Sequence, residues 1–195
     1  MEQSLITAED AEWKLPSAGR VGMFVLIFAE LAIFTIFIVA YAFYIGKSLS
    51  GPTAAVLSPP LFISACLLSS SWTMELSLIS LERDRIARFK LWWLVTFLLG
   101  ATFLTGTALE WHHLIVDEGL CISTNLFGTT FYSLVGLHGF HVTVGLLVIG
   151  GVAIFSALGQ VTREQASKLA VISLYWHFVD AVWLVVFSLV YLIGR

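Results

Sequence analysis

Five ionisable side chains stand near the middle of long apolar stretches of this 195-residue chain: Glu30, His138, His141, His177 and Asp180. Imidazole and carboxylate groups in such surroundings can form a hydrogen-bonded network, pass protons or ligate a metal ion. Residues three apart share one face of a helix, so His138 pairs with His141 and His177 with Asp180. These residue types and spacings predict a polar site between helices.

Three kinds of site fit this pattern from the residues alone. A structural polar network that fixes helix packing is the simplest. A proton or ion pathway comes second, because carboxylates and histidines within a membrane often mark one. A metal centre comes third, because two histidines three apart are weakly specific and the repeated Glu-x-x-His pattern of di-iron bundles is absent from the sequence.

The elements that must position these groups follow from composition. The chain is 58% hydrophobic and 12% charged, whereas soluble domains carry roughly 25% charged residues. Its five apolar runs are each long enough to cross a bilayer, and they lack the alternation of membrane barrels. We therefore predict an all-α integral membrane protein. Its five transmembrane helices lie at about 21–45, 60–80, 90–110, 126–157 and 168–194, in one domain spanning 21–195 after an N-terminal segment, 1–20.

Depth along these helices brings the ionisable groups to one level. At the helical rise of 1.5 Å per residue, all five lie about 12–22 Å from the helix starts. We therefore expect one hydrogen-bonded cluster among the first, fourth and fifth helices. Because a lone carboxylate at this depth needs a partner, Glu30 should face the bundle within hydrogen-bonding reach of a histidine or Asp180.

Lysine and arginine residues predict the orientation of the bundle. Eight of them fall in the connections on one side and two on the other, which places the N-terminus in the cytoplasm and the C-terminus outside. The eight are Lys14, Arg20, Arg83, Arg85, Arg88, Lys90, Arg163 and Lys168, and the two are Lys47 and Arg195. The net charge of −3, without a long like-charge run, argues against nucleic acid as a partner.

Two further sets of residues concern packing. The tryptophans near predicted helix ends are expected to act as interfacial anchors; they are Trp92, Trp93 and Trp111. Small residues on the fourth helix should allow a neighbouring helix to approach closely; they are Gly136, Gly139, Thr143 and Gly145.

Four segments resemble those of a known family. They are VGMFVLIFAELAIF around Glu30, GATFLTGTALEW ending at 111, FGTTFYSLVGLHGFHVTVGL at 127–146 and YWHFVDAVWL at 175–184. Their order and helix context are similar to subunit III of the haem–copper respiratory oxidases, the cytochrome c oxidase family, in its bacterial five-helix form.

The resemblance implies a subunit of an oxidase complex with no catalytic centre of its own. Haem and copper would lie in partner subunits, and this chain would hold phospholipid, pack directly against subunit I and support proton uptake in the bacterial inner (plasma) membrane. Subunit II, a small subunit IV and a respiratory supercomplex are the further partners it suggests.

The resemblance also suggests roles for particular residues. It implies a buried polar core formed by Glu30, Glu110, His138, His141, His177 and Asp180. It suggests a lipid contact at Trp72. The basic turn with Arg83, Arg85, Arg88 and Lys90 is expected from its charges alone to act either as a topology signal or as a clamp for anionic lipid headgroups.

Two departures and two alternatives accompany this interpretation. The mitochondrial form has two further N-terminal helices, and it carries paired histidines where this chain has Met74 and Glu75. One alternative is the same subunit of a quinol oxidase, or its homologue associated with nitric oxide reductase. The other is an independent ion transporter, although the sequence shows no internal repeat of the kind that many transporters use.

Overall fold

The computed structural model describes residues 17–48 and 50–194, and the secondary structure within these ranges is entirely helical. The main elements are α1 (Ala18–Tyr44), α2 (Leu61–Glu82), α3 (Ile86–Val116), α4 (Leu126–Ala157) and α5 (Ala166–Phe187). Single turns at Ala54–Val56 and Arg163–Gln165 precede α2 and α5, and α5 continues as a π-helix over Ser188–Ile193. Five helices are long and apolar enough to cross a membrane, which confirms the predicted all-α membrane architecture for this part of the chain.

The helix ends differ from the predicted ones where a helix continues beyond its apolar run. The third helix extends from Ile86 to Val116 rather than from 90 to 110. An apolar run marks the thickness of the lipid core, whereas backbone hydrogen bonding continues until a turn interrupts it. Most of the predicted N-terminal segment lies outside the described residues, and α1 begins at Ala18.

A three-residue turn joins α2 to α3. Asp84 adopts a left-handed backbone conformation with φ of 56°, and the Arg85 amide donates to the Ser80 carbonyl at 2.8 Å. Aspartate tolerates this conformation better than most side chains. The turn makes α2 and α3 antiparallel neighbours that pack along most of their length.

The centre of the bundle is organised around Trp176 on α5, which is fully buried. Its indole nitrogen donates to Ser70 Oγ of α2 at 2.8 Å. Its ring lies so close to the backbones of α3 and α4 that an added Cβ would fall 2.9 Å from it at Gly100 and 2.8 Å from it at Gly145. One side chain therefore joins four helices.

Two of the packing expectations need correction. Trp93 is not an interfacial anchor, because it is buried and its indole nitrogen donates to the Ile149 carbonyl of α4 at 2.8 Å. Close approach along α4 occurs at Gly136 and Gly145, where an added Cβ would lie 3.3 Å from Trp111 and 2.8 Å from Trp176, whereas Gly139 has no neighbouring atom within 4 Å of an added Cβ. The apolar pattern identified the helices, but the angle at which each one faces its neighbours is set by packing.

The first helix lies at the margin of the bundle. It packs against α4 and α5, and of its residues only Phe34 and Tyr41 are buried. Its remaining surface presents large apolar side chains, among them Phe28 and Phe43, to the outside of the chain. A surface of this kind suits lipid or another transmembrane subunit.

We predict that Gly145→Ala destabilises the bundle. The added methyl group overlaps the fixed ring of Trp176, and overpacking of this kind costs about 1–3 kcal/mol. The better helix propensity of alanine returns at most about 1 kcal/mol. Thermal unfolding of the purified protein in detergent should show a lower midpoint.

Gly151→Ala is the matched control on the same helix, because nothing lies within 4 Å of its added Cβ. Its midpoint should equal or slightly exceed that of the parent protein. Equal losses in the two variants would show that the contact with Trp176 does not limit stability.

Candidate functional site

Glu30 of α1 forms a direct contact with α4. Its Oε2 lies 3.0 Å from His141 Nε2, and the two side chains are 21% and 7% exposed. The prediction that Glu30 faces the bundle within hydrogen-bonding distance of one of these groups is therefore confirmed. This pair closes the interface between α1 and α4 near the middle of both helices.

The hydrogen bonds of His141 determine where its protons lie. The other ring nitrogen, Nδ1, is 2.7 Å from the Leu137 carbonyl, which can only accept, so Nδ1 carries a hydrogen. A neutral imidazole has only one such hydrogen. The contact between His141 and Glu30 thus requires a second proton, held by either group, and the pair as a whole is uncharged.

Aromatic side chains surround this pair. The ring of Phe34 lies 4.9 Å from that of His141, and the Tyr175 hydroxyl of α5 donates to the His141 carbonyl at 3.2 Å. The pair is thus linked to α5 through backbone rather than through a second ionisable group.

His138 does not join the Glu30 pair. It is fully buried, with its ring stacked on Trp183 at 4.9 Å and set edge-on to Phe103 at 5.8 Å. Neither ring nitrogen finds a hydrogen-bond partner among the described residues. Side chains three residues apart on a helix differ in direction by about 60° around its axis. This difference is enough for His138 and His141 to face different neighbours.

The second ionisable pair of the sequence faces α2. His177 Nε2 lies 2.7 Å from Glu75 Oε1 and His177 Nδ1 lies 2.9 Å from Ser71 Oγ. Ser71 is also hydrogen-bonded to Asp180 Oδ2, and Ser173 donates to Glu75 Oε1 at 2.9 Å. These contacts form a continuous chain of polar groups between α2 and α5.

The predicted single cluster among the first, fourth and fifth helices is therefore wrong. The structure forms two separate groups, one between α1 and α4 and the other between α2 and α5. Sequence reasoning overlooked the contribution of Ser71 and Glu75. Ser71 and Glu75 are four residues apart and therefore lie on one face of the serine-rich second helix, and this spacing could have indicated that they act together.

Glu110 lies apart from both groups. The Tyr191 hydroxyl in the π-helical end of α5 donates to Glu110 Oε1 at 3.1 Å. This bond ties the C-terminal part of the described chain to α3.

The predicted lipid-contacting residues all lie on the surface. Trp72 is 73% exposed on the outer side of α2. The four basic residues at the turn between α2 and α3 are exposed as well; they are Arg83, Arg85, Arg88 and Lys90. Their accessibility is compatible with lipid contact, which stays a prediction.

No group of three or more histidine, cysteine, aspartate or glutamate side chains in residues 17–48 and 50–194 is arranged to hold a metal ion. Apart from His138, the ionisable groups of the two sites contact each other or hydroxyl groups, as in His141 with Glu30 and His177 with Ser71.

Fold and polar groups together define a helical membrane protein whose ionisable side chains link its helices. The family model for cytochrome c oxidase subunit III matches residues 13–195, and the chain belongs to that family.

Curated relatives carry the same description. The chain is 35% identical to cytochrome c oxidase subunit 3 of Alkalihalophilus pseudofirmus, over 89% of this chain and 85% of the relative. It is 34% identical to the protein of that name from Corynebacterium diphtheriae, over 91% and 89% of the two chains. It is 36% identical to that from Bacillus sp. strain PS3, over 89% and 84%.

We predict that Glu30→Leu loosens the α1–α4 interface, whereas Glu30→Gln largely preserves it. Leucine leaves His141 without its partner, and an unsatisfied buried polar group costs about 1–3 kcal/mol. Glutamine keeps the length of the side chain and can still accept from or donate to the imidazole. Thermal unfolding in detergent should therefore rank Glu30→Leu below Glu30→Gln. The reverse order would mean that the pair does not hold α1 in place.

Proposed function

We propose that this chain is the non-redox subunit III of a cytochrome c oxidase in a bacterial plasma membrane. The observation that carries the proposal is the family match, which extends from residue 13 to residue 195 and covers most of each curated relative. Electron transfer from cytochrome c and the reduction of oxygen would take place at the haem and copper centres of subunits I and II.

Two features of the structure support a role within a complex. The first helix exposes a long apolar face, which suits contact with subunit I or with bound lipid. Most of the ionisable groups inside the bundle form hydrogen-bonded links between helices, as in Glu30 with His141 and Glu110 with Tyr191. Such links would keep the bundle rigid while proton uptake proceeds in the neighbouring subunit.

The distribution of charge supports the orientation that we propose. Arg83, Arg85, Arg163 and Lys168 lie at the end of the bundle that carries the α2–α3 and α4–α5 connections, and Lys47 lies beyond the other end of α1. Basic residues favour the cytoplasmic side. The N-terminus would then be cytoplasmic and the C-terminus periplasmic.

We predict that the chain co-purifies from native membranes with a haem–copper catalytic subunit. Affinity purification in mild detergent followed by absorption spectroscopy should show haem in the complex, and the chain expressed alone should show neither a haem spectrum nor oxygen reduction. A preparation of the chain alone that moved ions across vesicles would contradict the proposal and favour a transporter.

The Glu30→Gln variant also tests how Glu30 supports the complex. We expect the variant complex in vesicles to keep most of its initial oxygen consumption and near-normal proton pumping, because the α1–α4 contact survives. Loss of pumping in a fully assembled complex would instead place Glu30 on the proton path.

We predict that neutralising the basic turn removes anionic lipid from the complex. Each exposed basic residue near a membrane surface contributes about 1 kcal/mol to headgroup binding. Replacing Arg83, Arg85, Arg88 and Lys90 by glutamine should therefore strip bound phospholipid, as measured by mass spectrometry of the purified complex. Lys47→Gln, at the opposite end of the bundle, is the control. Unchanged lipid in the fourfold variant would leave the turn with a role in topology alone.

A further inference from the structure

A surface groove between α2 and α5 runs from the end of α2 at Glu82 to Glu75. It has a volume of about 250 Å³, and its polar lining consists of Glu75, Glu82, Ser173 and His177. Glu82 is the last residue of α2, and Glu75 lies two helical turns, or about 10 Å, deeper. The side chains of Glu75 and His177 are 52% and 35% exposed, so the groove reaches both of them.

The chain of polar groups between α2 and α5 starts in this groove and ends in the core. It connects Glu75 to His177, His177 to Ser71, and Ser71 to Asp180. Asp180 is only 4% exposed, and its Oδ1 has no hydrogen-bond partner among the described residues. The chain thus links an accessible carboxyl group to an enclosed one.

The hydrogen bonds between these polar groups require one proton more than a neutral histidine, a serine and two ionised carboxylates supply. Its three contacts require three hydrogens between the heavy atoms. A neutral His177 supplies one, the Ser71 hydroxyl supplies one, and two ionised carboxylates supply none. The third hydrogen must be a bound proton, whatever its position along the chain.

The same heavy atoms accommodate this proton in three arrangements. It can lie on Glu75, which then donates to His177, or on His177 as an imidazolium. The third arrangement forms from the imidazolium by two proton transfers and places the proton on Asp180. The His177 Nδ1–H bond breaks and this proton bonds to Ser71 Oγ, while the original Ser71 hydroxyl proton bonds to Asp180 Oδ2. The number of protons is unchanged, and the positive charge of the imidazolium is removed together with the negative charge of Asp180.

The burial of Asp180 favours transfer of the proton to its carboxylate. An ionised carboxylate enclosed by helices is costly unless other groups compensate it. The single hydrogen bond from Ser71 is the only compensation that the described residues give Asp180. Neutralisation by the mobile proton removes this cost.

We propose that the α2–α5 chain is a proton-holding site, which takes up one proton from the groove at Glu75 and stores it between His177, Ser71 and Asp180. The site goes beyond the structural role proposed for the subunit. In the orientation proposed above, the groove opens towards the cytoplasm, and this orientation is the one part of the inference that rests on the proposed function.

Infrared difference spectroscopy of the purified oxidase complex tests the presence of the site. After a jump from alkaline to neutral pH, the parent complex should gain a carboxylic acid C=O band. Asp180→Asn should lack the Asp180 component of this band, since asparagine can accept from Ser71 but cannot take the proton. Glu30→Gln, which alters the other carboxylate–imidazole pair, should retain it. A band of equal size in the Asp180→Asn complex would overturn the proposal.

Kinetics of the same band test the relay. Ser71→Ala removes the hydroxyl that passes the proton, so the Asp180 component should rise more slowly by about tenfold or more. Ser71→Thr keeps the hydroxyl and should restore the parent rate. Equal rates in the alanine and threonine variants would overturn the relay.

The outcome remains decisive if the alanine variant does not assemble, because the comparison of Asp180→Asn with Glu30→Gln stands without it. Haem absorption of each preparation reports separately on the proposed function, so failure of the complex and failure of the proton site are distinguishable.

Discussion

The contact of Trp176 with three other helices is the constraint on which the arrangement of the bundle depends. Its ring fits only where Gly100 and Gly145 leave the backbones of α3 and α4 bare, and its indole nitrogen reaches Ser70 on α2. Within a membrane there is little hydrophobic gain from bringing helices together, so close packing and interhelical hydrogen bonds must supply the stability. Trp176 provides both at one point.

The rotation of α5 that seats Trp176 also orients the polar face of that helix. His177 follows directly and Ser173 precedes it by three residues, and both contact Glu75 on α2. The polar chain between α2 and α5 is therefore a product of the same packing that fixes the core. The Glu30–His141 pair depends on a different interface, where the Tyr175 hydroxyl of α5 donates to the backbone carbonyl of His141.

Much of the fold could be predicted from the sequence because hydrophobic thickness dictates helix length. Apolar runs of sufficient length predicted all five spans, and depth along the helices predicted that Glu30 would meet a group on α4 or α5. Depth carries no information on rotation about the helix axis, however. For that reason His138 was expected beside His141 but lies between Trp183 and Phe103, and the partnership of His177 with Glu75 was missed. Trp93 was misassigned for the same reason, because a position near a helix end does not reveal the direction in which a side chain points.

The three-residue turn between α2 and α3 limits how the chain can change in length. Each residue added to the start of α3 would rotate every later side chain by about 100° about the helix axis. Trp93 would then leave the Ile149 carbonyl, and Gly100 would no longer lie opposite the ring of Trp176. The longer connection between α1 and α2, which includes Gly46 and Gly51 in left-handed conformations, can absorb such a change without turning either helix. Insertions and deletions should therefore be tolerated in the α1–α2 connection and selected against in the α2–α3 turn. The two loops thus set different limits on how the sequence of this subunit can diverge.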